Sequence, residues 1–166
     1  MNSGNTKWET RIAHLWASID IHAADDFLAR IDALAAELPS GSAIALFERA
    51  AARDSTGHPD LAVPLYRAAL ATGLTGLRRR RAVIQMASSL RNLGHAAEAV
   101  ALLSAERDAT SDELDGAVRA FLTLALADLG REREALAISL TALSHYLPRY
   151  NRSLARYAGE LTREAA

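Results

Sequence analysis

Three glycines at nearly equal spacing are the feature that most limits how this chain can fold. Gly57, Gly94 and Gly130 follow one another at intervals of 37 and 36 residues, and apolar residues of helical period stand on both sides of each. An alanine stands five residues after every one of these glycines, where a small side chain lets two helices approach closely. The spacing predicts three helix–turn–helix units that reverse at glycine, since glycine adopts left-handed backbone geometry at little cost.

The rest of the chain continues the helical pattern. Half of its 166 residues are hydrophobic but only 5% are aromatic, and no segment alternates apolar and polar residues as a half-buried strand does. We predict a single all-α domain of nine helices: an N-terminal helical hairpin over 1–41, three repeats over 42–149 and a capping helix over 150–166. Terminal caps are expected, because stacked repeats leave apolar faces bare at both ends.

The repeats resemble the tetratricopeptide repeat, a helix–turn–helix unit of about 34 residues. The resemblance rests on turns such as Leu93-Gly94 and Leu129-Gly130, each followed by the alanine described above. Over residues 43–161 the chain is similar to the bacterial group 5 of this family, on the phrases MASSLRNLGHAAEAVALL, AFLTLALADLGREREAL and LPRYNRSLARYA. The resemblance implies a right-handed α-solenoid without assigned chemistry, in which the first helix of each repeat lines a concave groove.

The family register assigns groove positions at fixed distances before each turn glycine, and the last helix adds two more. The candidate peptide-binding residues are Phe47, Glu48, Arg81, Gln85, Ser88, Arg91, Asn92, Phe121, Arg156 and Tyr157. The middle of the predicted groove is polar and basic. Arginine can hold a carboxylate with two parallel hydrogen bonds, and asparagine can donate to a peptide backbone. The predicted function is therefore a non-catalytic module that binds a peptide or protein segment.

Four consecutive arginines, Arg78–Arg81, begin one of the predicted groove helices. Successive helical residues point about 100° apart, so the four side chains cannot all face one ligand. The repeat period brings carboxylates of residues 112–115 beside the run, and we expect Arg78 and Arg79 to pair with them. That leaves Arg81 as the candidate ligand-binding residue. The alternative is an anion or nucleic-acid site, which needs basic groups continued along a surface with aromatic platforms.

The first helix carries Trp8 and Trp16 on one face, and residues 6–9 have the pattern of a capping box. Packing within the core of the N-terminal hairpin is the favoured interpretation of the two indoles. The alternative is an exposed apolar strip for a partner or a second copy of the chain. A second functional hypothesis is accordingly a homodimer or larger homo-oligomer, formed through the hairpin or the capping helix.

No pattern typical of a catalytic or metal site is present. The sequence lacks cysteine, histidines at ligand spacing and a glycine-rich phosphate loop. His14 with Asp25 and Asp26 is the one arrangement that resembles a metal site, and surface or packed positions explain these residues better. The net charge of −1 gives no field that draws nucleic acid, and no apolar stretch is long enough to span a bilayer. We expect a cytoplasmic protein without enzyme activity, cofactor or metal.

Overall fold

The computed structural model describes residues 3–109 and 111–163, with side chains from Thr6 onward. These ranges contain nine α-helices and no strand, which confirms the all-α class. The helices are α1 (Ser3–Ala17), α2 (Ala24–Ala35), α3 (Ala43–Ser55), α4 (Pro59–Ala71), α5 (Gly76–Asn92), α6 (Ala96–Ala109), α7 (Asp115–Asp128), α8 (Glu132–Ser144) and α9 (Asn151–Glu160). The chain divides into two compact units, Met1–Ala82 and Val83–Ala166. The single-domain organisation and the right-handed sense stay predictions.

The three glycine turns have the predicted geometry. Gly57, Gly94 and Gly130 have φ angles of 85°, 84° and 72°, in the left-handed region. In each turn the residue after glycine donates its backbone N–H to the carbonyl five residues earlier. These bonds join His58 to Arg53 at 2.8 Å, His95 to Leu90 at 2.8 Å and Arg131 to Leu126 at 3.0 Å. They satisfy carbonyls that the end of a helix leaves without partners, so each helix can stop and the chain can reverse.

The first unit is built from the N-terminal hairpin and the first repeat. Here α1 packs on α2, α2 on α3, and α3 on α4. The hairpin core is formed by Trp8, Ile12, Phe27, Ile31 and Leu34, together with Ala52 of α3. The indole N–H of Trp8 donates to the carbonyl of Leu34 at 2.8 Å. The hairpin therefore shares its core with the first repeat, and packing is confirmed as the role of Trp8.

The starts of α1 and α3 differ in how they are capped. The capping box at residues 6–9 is wrong, because α1 begins at Ser3 and Thr6 lies inside the helix. Ser42 does cap α3, since its hydroxyl accepts a hydrogen bond from the N–H of Ala45 at 3.3 Å. The cap fixes where α3 begins, and α3 carries two of the predicted groove residues.

The second unit contains the later repeats and the capping helix. Here α6 packs on α7, α7 on α8, and α8 on α9. Leu103 of α6, Leu122 and Leu126 of α7, and Ala158 of α9 are fully or almost fully buried. Ala158 shows that α9 contributes to the core of this unit, as expected of a helix that closes a stack of repeats.

Candidate functional site

The four arginines of the run lie in different environments. Arg80 is buried, Arg78 and Arg79 are partly exposed, and Arg81 is exposed. The rotation of the helix accounts for this separation, as expected. The run is therefore not one basic patch, and an anion or nucleic-acid site made of all four guanidinium groups has no support.

Arg78 connects α1 to α3. Its two terminal nitrogens donate to the two carboxylate oxygens of Glu9 at 3.0 and 2.6 Å, and its Nε donates to Glu48 Oε1 at 2.9 Å. The indole N–H of Trp16 donates to the other oxygen of Glu48 at 2.7 Å. The expected pairing with residues 112–115 is therefore wrong for Arg78, because Glu9 and Glu48 of its own unit take up its donors. For Arg79 the pairing stays a prediction.

This network makes Arg78 a structural cation. Burial alone lowers the pKa of Arg78, but the hydrogen bonds that Arg78 donates to Glu9 and the attraction of Glu48 outweigh it and raise the pKa above its ordinary value. The guanidinium group is consequently charged, and its fork is already occupied by a carboxylate. Arg78 is thus a poor candidate for binding a ligand directly.

Phe47 and Glu48 are buried, which corrects their assignment as groove residues. Glu48 is 3% exposed and Phe47 is fully buried. The rings of Phe47 and Tyr66 lie 6.3 Å apart, and Trp16 of α1 contacts the Glu48 carboxylate. The register was counted on the repeats alone, whereas the N-terminal hairpin covers Glu48. Neither side chain offers surface to a peptide.

Tyr66 is the buried support beneath Phe47. Its hydroxyl donates to Asp54 Oδ2 at 3.5 Å. Burial, and after it the negative charge of Asp54, raise the pKa of Tyr66 far above its ordinary value. The phenol is therefore neutral in the folded protein, and Phe47 rests on a firmly packed neighbour.

Arg81 is the arginine of the run that a ligand can reach. It forms no hydrogen bond or ion pair with any described residue, and its guanidinium carbon lies 5.3 Å from the centre of the Phe47 ring. It borders a cavity of about 610 Å³ where α3 and α5 begin. The cavity is lined by Ser42, Ala43, Ile44, Gly73, Leu74, Thr75, Leu77, Arg78 and Arg81. An unpaired cation thus stands beside apolar surface that faces an open space.

The second unit holds the remaining predicted groove residues of α5 and α7. Asn92 is exposed, and Gln85, Ser88, Arg91 and Phe121 are partly exposed. Arg91 forms an ion pair with Asp128, with 2.5 Å between Nε and Oδ2. The structure therefore brings the end of α5 and the end of α7 together. Because Asp128 already neutralises Arg91, this arginine offers less to a ligand carboxylate than Arg81 does.

On α9, both predicted residues are exposed. The guanidinium carbon of Arg156 lies 4.8 Å from the centre of the Tyr157 ring, and Arg156 is 3.9 Å from Glu160 Oε1. Sequence reasoning missed Tyr146 and Tyr150, which precede α9 and are among the most exposed aromatic side chains of the described ranges. The sequence did offer a signal, since three tyrosines and three arginines occur within the twelve residues from Tyr146 to Tyr157.

The described ranges contain no group of three or more histidine, cysteine or carboxylate side chains that could hold a metal ion. His22, rather than His14, lies next to a carboxylate of α2, with Nδ1 3.1 Å from Asp26 Oδ2. Within the same ranges no helix is both long enough and apolar enough to cross a membrane.

In a comparison with known protein families, a family model described as "Tetratrico peptide repeat" matches residues 43–161. The match begins at the first residue of α3, ends one residue after α9 and covers more than two thirds of the chain. The resemblance inferred from the glycine turns is confirmed over its expected extent. A search of curated proteins and a search of solved structures returned no match.

Proposed function

Since the chain belongs to the tetratricopeptide repeat family, whose repeats generally mediate protein–protein interaction, we propose that it binds a carboxylate-bearing peptide segment at Arg81. The family is typically a non-catalytic interaction module, and the proposed role for this chain is likewise binding without chemistry. The main support for this proposal is that Arg81 is exposed, has no ionic partner among the described residues, and borders a cavity of about 610 Å³.

The surroundings of Arg81 favour a carboxylate ligand. Its planar guanidinium group can donate two parallel hydrogen bonds to one carboxylate, a geometry that lysine cannot offer. The face of the Phe47 ring attracts the guanidinium group, which restricts the motion of the side chain before a ligand binds. Less conformational freedom is then lost on binding, and this improves affinity.

The residues that line the cavity indicate which kind of side chain stands next to the carboxylate in the ligand. Ile44, Leu74 and Leu77 supply apolar surface next to Arg81, and Leu77 is half-exposed. The volume lies within the range of roughly 300–1,000 Å³ that is common for ligand pockets. We therefore propose a segment in which an acidic residue, or the terminal carboxylate, adjoins an apolar side chain.

We propose the polar side chains of the second unit as a separate peptide-contacting surface of that unit. Gln85, Ser88, Arg91 and Asn92 can donate to peptide carbonyl groups, and Phe121 offers a partly exposed ring. Their partial exposure supports this role, as does the family register that assigns them to the groove. The ion pair with Asp128 makes Arg91 secondary to Arg81.

Fluorescence anisotropy with short labelled peptides that pair glutamate with leucine tests the proposal. Hydrogen bonds to charged groups contribute about 1.5–3 kcal/mol, so Arg81→Glu should weaken binding by roughly 10- to 150-fold. Arg30→Glu is the matched control, because Arg30 is an exposed arginine of the same unit and the charge change is identical. Equal affinity of wild type and Arg81→Glu for every such peptide would show that Arg81 is not the binding residue.

A further inference from the structure

A second exposed surface lies at the end of the second unit. The segment from Tyr146 to Tyr157, here called the Tyr-Arg segment, comprises the turn after α8 and most of α9. Its exposed side chains include Tyr146, Arg149, Tyr150, Arg152, Arg156 and Tyr157. The three tyrosines are 78%, 77% and 53% exposed, in chain order. Aromatic side chains normally bury most of their area, so three exposed tyrosine rings within twelve residues require an explanation.

Two arginines of the Tyr-Arg segment lie where positive charge is electrostatically unfavourable. The first turn of α9 contains no acidic residue, although Arg149 and Arg152 flank its N-terminus. Positive charge is disfavoured there by the helix dipole. The side chains of Arg149 and Arg152 form no hydrogen bond or ion pair with a described residue, and the ion pair of Arg156 with Glu160 is long, at 3.9 Å. The fold therefore gains no evident stabilisation from these charges.

The backbone of the segment is also unfavourable. Tyr150 has a φ angle of 66° and is the only residue other than glycine in the described ranges with a positive φ. Glycine or asparagine adopts this conformation more easily, and an asparagine is the next residue in the chain. Strained backbone of this kind clusters at binding sites, where the side chain is needed for another purpose. The tyrosine ring itself is therefore the feature that requires a role.

We propose that the Tyr-Arg segment is a docking surface for an acidic segment of a partner protein. Tyrosine and arginine are the residue types that concentrate in the energetically important centres of protein interfaces. Charge complementarity sets the chemistry of the partner, because the described residues from 145 to 163 include four arginines and only one carboxylate side chain, Glu160. Leu143, half-exposed near the end of α8, adds apolar surface of a kind that suits a protein partner better than a nucleic acid.

This surface belongs to the second unit, whereas the cavity at Arg81 belongs to the first. The two proposals are therefore independent. An Arg81→Glu variant should leave binding at the Tyr-Arg segment unchanged, and variants of the segment should leave binding at Arg81 unchanged.

Anisotropy with three labelled probes tests the docking surface: a short peptide of alternating glutamate and phenylalanine, its glutamine counterpart, and an oligothymidine. All measurements use an Arg81→Glu background, so that the cavity of the first unit does not bind the acidic probe. We expect this background, which keeps the wild-type Tyr-Arg segment, to bind the glutamate peptide in preference to the other two probes. Arg149→Glu with Arg152→Glu should weaken that binding ~10-fold or more, because two charge-assisted contacts become repulsive. Arg107→Glu with Arg131→Glu, the same charge change at exposed arginines of the same unit, should leave it nearly unchanged.

Tyr150→Gly separates a binding role from a structural one. Glycine relieves the positive φ, so the melting temperature should rise while affinity for the glutamate peptide falls. Loss of stability with unchanged affinity would assign Tyr150 to the fold and overturn the proposal. Equal affinity of the Arg81→Glu background and the double arginine variant, or no binding of the glutamate peptide, would also overturn it. Preferential binding of oligothymidine that the arginine variant abolishes would replace the protein partner with a nucleic acid.

Discussion

The buried carboxylate of Glu48 should change the sign of its contribution to stability when Arg78 is removed. In the wild type Glu48 accepts hydrogen bonds from Arg78 Nε and from the indole of Trp16, so Glu48→Leu removes favourable contacts. In an Arg78→Met background Glu48 retains the indole but loses its countercharge. The same Glu48→Leu substitution should then stabilise the protein, because it removes a buried charge without a countercharge.

The two single substitutions should differ in magnitude because the partners differ in burial. Glu48 is 3% exposed, so Arg78→Met leaves an almost fully buried charge and should cost about 3–5 kcal/mol. The Arg78 side chain is 25% exposed and retains Glu9, so Glu48→Leu should cost only ~1–2 kcal/mol. The double variant should be more stable than Arg78→Met alone, with a coupling of about 1–3 kcal/mol between the two positions.

Urea unfolding followed by tryptophan fluorescence measures the effect where it occurs. The chain has two tryptophans, Trp8 and Trp16, and both lie in α1 next to the network. The free energy of unfolding comes from the midpoint and slope of each curve, and unchanged slopes would show that only stability has changed. Additive effects, to within about 0.5 kcal/mol, would contradict the expected coupling, and so would equal destabilisation of both backgrounds by Glu48→Leu.

Two further outcomes concern Tyr66 and the turn glycines. Because the pKa of Tyr66 is raised in the folded protein, this tyrosine ionises first in the unfolded chain, above pH 10.0. The free energy of unfolding should therefore fall as the pH rises above 10.0. Tyr66 should account for about 1.4 kcal/mol of the loss at pH 11, and urea titrations of Tyr66→Phe should lack that component. Gly94→Ala should lower the free energy of unfolding by about 1–2 kcal/mol, because φ is 84°. Gly159→Ala is its control, since Gly159 lies in α9 with open space around it, and it should be neutral or stabilising. Comparable losses in both glycine variants would remove the left-handed turn as the cause.

The glycine turns could be predicted from the sequence because their cause is local. A left-handed residue that ends a helix depends on glycine and on the apolar period around it, and both are visible within a few residues. Local side-chain bonds also determine where α7 begins, at Asp115. Ser111 donates to Asp115 Oδ2, and Asp112 Oδ1 accepts from the N–H of Leu114. These side-chain bonds offer the backbone an alternative to helix.

The environment of the arginine run could not be predicted in the same way. Glu9 and Arg78 are 69 residues apart, and no periodicity relates them, because Glu9 lies in the hairpin outside the repeats. A register counted from the turn glycines therefore assigned Glu48 to an open groove and Arg78 to the carboxylates of the next repeat. Both errors have one origin, which is that the contribution of α1 to the first unit is tertiary rather than local.

That contribution also determines which arginine a ligand can reach. Glu9 of α1 accepts hydrogen bonds from Arg78, and Trp16 of α1 donates one to Glu48. The donors of Arg78 are consequently taken up by carboxylates. Arg81 stands almost one helical turn further along α5, beyond these partners and above the ring of Phe47. Glu9→Gln would free one of the two terminal nitrogens of Arg78 that donate to Glu9, and it would not alter Arg81. If the hairpin selects Arg81, this variant should bind acidic peptides with broader sequence tolerance, because Arg78, which lines the same cavity, then has donors free for a ligand.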